Sequence, residues 1–294
     1  MHWTTGWKLF LIGWISLFSQ VGSAQDPQQT WQLANHYYES NDYETALSTF
    51  QRYLFFKEDK AFYEGAYRIA ECYLNLNQFD QATAWFDYTY QLAETEDERV
   101  EVVLKKAAMY LKASNPQFSL LELYSLPDTL TPEHLARKQF FLAAAYITLE
   151  EYTRAEKSME RFYALHNREQ DFVNMQKLFA DTLHLRRVSP AWAGIMSLVI
   201  PGSGQLYAGY PKEAANSFLL VGMLEFAFIY IAHRYSLLNA YTSIFPWLQR
   251  YYFGGYVAAR KLAYKKREER KEAFYEHVLQ EAFKLSGENF VPRP

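Results

Sequence analysis

The spacing of four alanines constrains this chain more than any other feature. Ala34, Ala70, Ala107 and Ala143 stand 36, 37 and 36 residues apart, and each is followed three residues on by a tyrosine: Tyr37, Tyr73, Tyr110 and Tyr146. Twelve residues after the first, second and fourth of these alanines come Ala46, Ala82 and Ala155, and four beyond those come Phe50, Phe86 and Met159. A period of this length, with small and large apolar residues in fixed order, accommodates two helices. The small residue lets paired backbones approach, and the large one fills the space between neighbouring pairs. One pair cannot bury its apolar face alone, whereas a stack can. The pattern therefore predicts an all-α, helical-hairpin solenoid over residues 25–170.

The same residues resemble the tetratricopeptide repeat, whose pattern of small, aromatic, aromatic, small and aromatic positions is matched by Ala34, Tyr37, Tyr43, Ala46 and Phe50. Ala70, Tyr73, Phe79, Ala82 and Phe86 repeat it, as do Ala143, Tyr146, Tyr152, Ala155 and Met159. The third copy keeps Ala107 and Tyr110 and then breaks at Asn115, Pro116 and Gln117, so its second helix is expected to begin near Phe118. The resemblance covers residues 28–166. It implies that the first helix of each pair lines a concave face, with Trp31, Asn35 and Tyr38 from the first copy, Tyr67, Glu71 and Asn75 from the second, and Leu104, Ala108 and Lys112 from the third. Phe140, Ala144 and Ile147 follow from the fourth. Such a groove, aromatic and apolar more than basic, suits a helix or an extended peptide. The chaperone-tail variety of the fold clamps a terminal carboxylate with lysine and asparagine; Asn35 matches, but Trp31 stands where a lysine is expected.

Composition narrows the function classes. A net charge of −3 with no basic stripe in the repeats argues against nucleic acid. The seven histidines are scattered, with no pair at metal-ligand spacing, and neither a serine nor the single cysteine, Cys72, sits in a nucleophile context. No catalytic residue, metal or cofactor is expected. Cys72 falls on the first helix of the second copy, at a position expected to be semi-buried.

The two ends of the chain read differently from its middle. Lys8, the apolar run Leu9 to Phe18, and Gly22, Ser23 and Ala24 before Gln25 look like a secretory signal peptide occupying residues 1–24. After a connecting helix at 171–187, residues 188–263 form an apolar module. Val188 to Pro211 carries no charge, and Ala214 to Ala232 is 19 residues long with Glu225 as its only charge, which matches a hydrocarbon layer of about 30 Å. A third stretch, Tyr235 to Ala259, contains Pro246 and Arg250 among Trp247, Tyr251, Tyr252 and Tyr256; it either crosses obliquely or lies at the interface. The basic cluster Arg260, Lys261, Lys265, Lys266, Arg267, Arg270 and Lys271 then prefers the cytoplasm. With exported repeats this demands an odd number of crossings, and three is the favoured count. The charged tail, 264–294, reads as an amphipathic helix with Phe274, Val278 and Phe283 on or near one side.

Pro201, Gly202, Ser203, Gly204, Gln205, Leu206, Tyr207, Ala208 and Gly209 resemble the P-G-x-G-Q-x-Y-x-G stretch of small bacterial membrane modules. A proline and three glycines inside an apolar region expose backbone groups that lipid cannot satisfy, so this loop must pack on protein or line a polar pocket. It is read as a tight buried helix connection, or alternatively as a substrate or lipid-headgroup site. The lysine and Ser/Thr pair of a nucleotide P-loop is absent. Glu225, a carboxylate at mid-bilayer, is expected to need a partner or a proton, with Arg250 the favoured partner.

Taken together these features predict a non-enzymatic scaffold in the bacterial inner membrane, with its repeats in the periplasm and its tail in the cytoplasm. Its partners would be other envelope proteins or peptides and the lipid bilayer. The competing expectation is a membrane transporter or membrane enzyme component whose site is formed by Pro201, Gly202, Gly204, Gln205, Tyr207, Gly209 and Glu225.

Overall fold

A computed structural model describes residues 26–55, 61–127, 129–180, 182, 185 and 187–286, so the expected signal peptide lies outside the described residues. Among the described residues the chain is all-helical, with fourteen helices and no strand. It divides into two compact units between Phe141 and Leu142, inside one helix, and each unit is described by itself.

The first unit holds α1 (Pro27–Glu39), α2 (Tyr43–Phe55), α3 (Ala61–Asn75), α4 (Phe79–Leu92), α5 (Glu96–Lys112), α6 (Pro116–Ser125) and the start of α7 (Pro132–Thr148). Its periodic residues do what their spacing predicts. Ala34, Ala46, Ala70, Ala82 and Ala107 are buried, as are Phe50 and Phe86. Trp31 meets Phe50 edge to face with ring centroids 5.2 Å apart. Ala70, Ala82 and Phe86 form one cluster with Val102 and Met109 of the next helix. Full burial of each phenylalanine stabilises the fold by about 1.5–3 kcal/mol.

A second periodicity emerges in the turns. Asn41, Asn77, Ser114 and Glu150 all have positive φ, between 57° and 62°, and keep the 36, 37 and 36 spacing of the alanines. At each turn the repeat tyrosine's carbonyl accepts from the residue just beyond: Asp42 to Tyr37 at 2.9 Å, Gln78 to Tyr73 at 2.9 Å, Asn115 to Tyr110 at 2.8 Å and Glu151 to Tyr146 at 2.9 Å. This is the bond that closes a helix when the residue after its cap turns left-handed. The third copy therefore turns like its neighbours, and α6 begins at Pro116 rather than near Phe118. Proline suits the first position of a helix, because its missing N–H would have had no intrahelical partner there. At the start of α5 a capping box forms, in which Thr95 accepts from the Glu98 amide and the Glu98 carboxylate accepts from the Thr95 amide.

The second unit holds the end of α7, then α8 (Tyr152–Leu165), α9 (Glu169–Ala180), α10 (Pro190–Val199), α11 (Ser203–Tyr207), α12 (Pro211–Arg234), α13 (Leu237–Ser243) and α14 (Phe245–Ser286). Ala143, Ala155 and Met159 are buried, completing the set of periodic residues. Among the described residues one helix, α12, is long and apolar enough to cross a membrane, by length and composition. Most of its apolar side chains point away from protein, with Met223 66% and Phe226 72% exposed. The expected third stretch is two elements, α13 and the start of α14, with Ile244 between them. No break occurs at 263, so the charged tail, as far as Ser286, is the continuation of α14.

Candidate functional site

Three first helices, α1, α3 and α5, wall a cavity of about 510 Å³ in the first unit. Trp31 comes from α1, Tyr63, Glu64, Tyr67, Arg68 and Glu71 from α3, and Glu101 from α5. On α3 the residues recur at intervals of four because that spacing keeps them on one helix face. Glu71 is buried, and its two oxygens are each taken by a cation: Arg68 Nη1 at 3.0 Å and Lys105 Nζ at 3.0 Å. Glu101 receives Arg137 and lies 3.1 Å from His134 Nε2. The two carboxylates thus tie α3 to α5 and α5 to α7, so that the acids facing the cavity are fixed in place. Burial, reinforced by Glu71, pushes the Tyr67 phenol far above its ordinary range, and it remains a neutral hydroxyl.

Of the residues expected on this face, Trp31, Tyr67 and Glu71 come together in the cavity wall. Tyr38 lies under the Arg68 guanidinium, 5.0 Å from ring centroid to Cζ. Asn35 donates to the carbonyl of Trp31 at 3.1 Å, and Lys112 donates to the carbonyl of Leu74 at 3.4 Å, so both side chains serve helix backbone. Asn75 is not in the cavity wall. Tyr63, Glu64, Arg68 and Glu101 were not anticipated, although extending the Tyr67–Glu71 face one turn back along α3 would have found the first two. Cys72 is fully buried, beyond the semi-buried position expected, and its thiol is pushed up to about 12 by burial and by Glu71.

The glycine-rich stretch of the second unit folds into a closed polar knot. Ser197 donates to Gln205 Oε1 at 2.7 Å and accepts from the Gly204 amide at 3.0 Å, and Gln205 Nε2 donates to the carbonyl of Gly255 at 3.1 Å. Gln205 is 1% exposed, and every polar end of its side chain is matched. A Cβ on Gly204 would lie 1.8 Å from the carbonyl oxygen of Ala193, so only glycine admits this approach of α11 to α10. Gly202 combines a φ of 91° with a virtual Cβ 2.4 Å from the carbonyl oxygen of Ala214. Pro201 lies in the turn between α10 and α11, and Gly209 closes α11 with a left-handed turn at φ 89°. Tyr207 donates to the carbonyl of Arg187 at 2.8 Å and accepts from the Ser189 amide at 3.2 Å. Of the two expectations for this stretch, the tight helix connection is the one that these contacts describe. Ser197, eight residues upstream of Gln205, carried no signal in the motif.

Glu225 and Arg250 do not pair. Glu225 is exposed on α12, and among the described residues neither it nor Arg250 forms an ion pair. The reason is directional: Glu225 shares the outward face of α12 with Met223, Phe226 and Ile229. No protein-family model matches the chain, and no curated protein is significantly similar to it.

Proposed function

We propose that this chain is a membrane-anchored scaffold of the tetratricopeptide type, which holds a segment of another envelope protein against α1, α3 and α5. The observation carrying this reading is the cavity at Trp31, Tyr63, Tyr67, Glu64 and Glu101, built wholly from first helices of successive pairs. Stacked aromatic rings give contact area with little loss of side-chain freedom, and Glu64 beside them, which forms no ion pair among the described residues while Glu71 and Glu101 are met by cations, favours a partner segment bearing a basic side chain. The apolar module is read as the anchor. Transport or membrane chemistry at the glycine-rich stretch is less favoured, because the Gln205, Ser197 and Gly204 groups satisfy one another.

A photo-crosslinking amino acid in place of Glu64, irradiated in native membranes, tests the reading. Discrete adducts with a small set of envelope proteins, lost when Trp31→Ala and Tyr67→Ser are combined, are expected. The absence of any protein adduct, or an adduct pattern unchanged by the double substitution in protein that still folds by circular dichroism, overturns it.

A further inference from the structure

We infer that the apolar module is a hairpin with both ends on one face of the membrane, and that the tail of α14 is the clasp that fastens this hairpin to the last helical pair. The inference rests on the membrane-anchored reading of the module and adds its topology. It departs from the expectation of a tail across the bilayer from the repeats.

The contacts along α12 and α14 run in opposite order. Phe228 of α12 meets Phe245 at the start of α14, with centroids 6.4 Å apart. Ser217 faces Gly255, whose virtual Cβ would lie 3.1 Å from the Ser217 hydroxyl. Tyr210, just before α12, reaches Glu269 at 3.3 Å. As one number falls the other rises, so the two helices are antiparallel. Twenty-four residues of α12 span about 36 Å, whereas Phe245 to Ala259 of α14 returns over about 22 Å before Arg260 opens its charged part, so the basic cluster begins within the reach of α12.

The helices α10 and α11 do not add a crossing. Tyr207, at the end of α11, is bonded to Arg187 and Ser189 at the start of α10, so this pair enters and returns to the level where it began. Residues 187–189, 207–210 and 269 therefore share one end of the module, and α13 sits at the other.

Beyond that level α14 docks on the final hairpin. Glu150 receives Lys271 at 2.7 Å and Arg267 at 3.1 Å, while Phe274 meets Tyr152 at 5.6 Å and Phe179 at 5.5 Å, both edge to face. Glu150 is also the turn residue with φ 60°, where the earlier turns place Asn41, Asn77 and Ser114. Asparagine tolerates this left-handed backbone, whereas glutamate gains nothing from it locally. What glutamate adds is a carboxylate long enough to take two cations from α14. The basic cluster that suggested a cytoplasmic tail is thus engaged in docking at Arg267 and Lys271. Groups in direct contact cannot be separated by a bilayer, and the number of crossings is even.

Single cysteines in a full-length Cys72→Ala background decide the point: Glu160→Cys on α8, Asn239→Cys on α13 and Lys284→Cys on α14. Each is probed with a membrane-impermeant maleimide before and after permeabilising the cells. Positions 160 and 284 are expected to react from one side and 239 from the other. Opposite sides for 160 and 284, or one side for all three, overturns the inference. If 160 and 284 react together only after permeabilisation, the hairpin stands and the exported-scaffold reading fails. The clasp is checked in purified full-length protein, where Glu150→Lys should speed chymotryptic cleavage after Phe274 by roughly tenfold and Glu150→Lys with Lys271→Glu should restore the slow rate. Equal rates for all three proteins sink the clasp.

Discussion

Lys106 on α5 places its ammonium 2.6 Å from the Glu122 carboxylate on α6, and the same nitrogen lies 2.6 Å from Asp87 on α4. This buried lysine holds the one helix whose repeat markers are missing. Burial alone would lower its pKa, but hydrogen bonds to Asp87 and Glu122 outweigh that, and the net shift is upward from 10.5.

Removing it should therefore unfasten the third copy. Lys106→Ala leaves Glu122 without its cation and is expected to cost about 3 kcal/mol, while Lys106→Met, which keeps the apolar stem, should cost clearly less. The group's contribution is fully present below 10.5 and declines as pH rises through its higher folded value, so the gap between wild type and Lys106→Met should narrow in strong alkali. Urea unfolding followed by circular dichroism at neutral pH and near pH 11 measures both.

The left-handed turns make a separate prediction about backbone. Ser114 adopts φ 60° with no steric reason to do so, and Ser114→Gly should stabilise the chain by up to about 1 kcal/mol. Asn77→Ala should destabilise it by a similar amount, because alanine has neither the freedom of glycine nor the local hydrogen bonding of asparagine. Shifts of opposite sign in urea midpoint at constant slope are expected, and matching signs would count against the turn argument.

Two glycines of the module should respond in contrasting ways. Gly204→Ala forces a methyl into the Ala193 carbonyl and should leave little folded module, a loss of about 3 kcal/mol or more. Gly222→Ala, where nothing lies within 4 Å of the added atom, should be neutral or stabilising by up to about 1 kcal/mol. The yield of monodisperse protein after detergent extraction and heating separates the two.

Among the described residues Glu225 has no ion-pair partner to lose. Glu225→Leu should therefore leave thermal stability in detergent unchanged and should favour insertion of α12 by about 2.5–3.5 kcal/mol, read in a glycosylation-based insertion assay. A clear loss of stability on this substitution would show that the carboxylate is held by something within the fold.

How much of this was legible beforehand depends on the range of the contacts. Ala34, Ala46, Phe50 and their counterparts were readable because each is packed by neighbours a fixed distance away in sequence, and that distance repeats. Asn41, Asn77 and Ser114 carry the same period and could have been read as turn residues. Of the twelve residues expected on the concave face, Trp31, Tyr67 and Glu71 meet in one cavity wall, but Asn35 and Lys112 bond to helix carbonyls instead, since long polar side chains choose among partners that spacing does not rank. Glu225 and Arg250 were matched by sign and proximity, which ignores the direction in which each helix turns its residues.

By itself the sequence determined that the chain is helical, that small and large apolar residues recur at a period of about 36, and that it is apolar near its carboxyl end, because periodicity and composition act through local geometry and solvent transfer. Tertiary structure alone decided that Gln205 is closed off by Ser197 and Gly255, that α14 runs unbroken from the apolar layer into the tail, and that Glu150 holds Arg267 and Lys271. Those contacts join residues far apart along the chain, where a choice among many charged and polar partners is made by the backbone paths that deliver them to the same place.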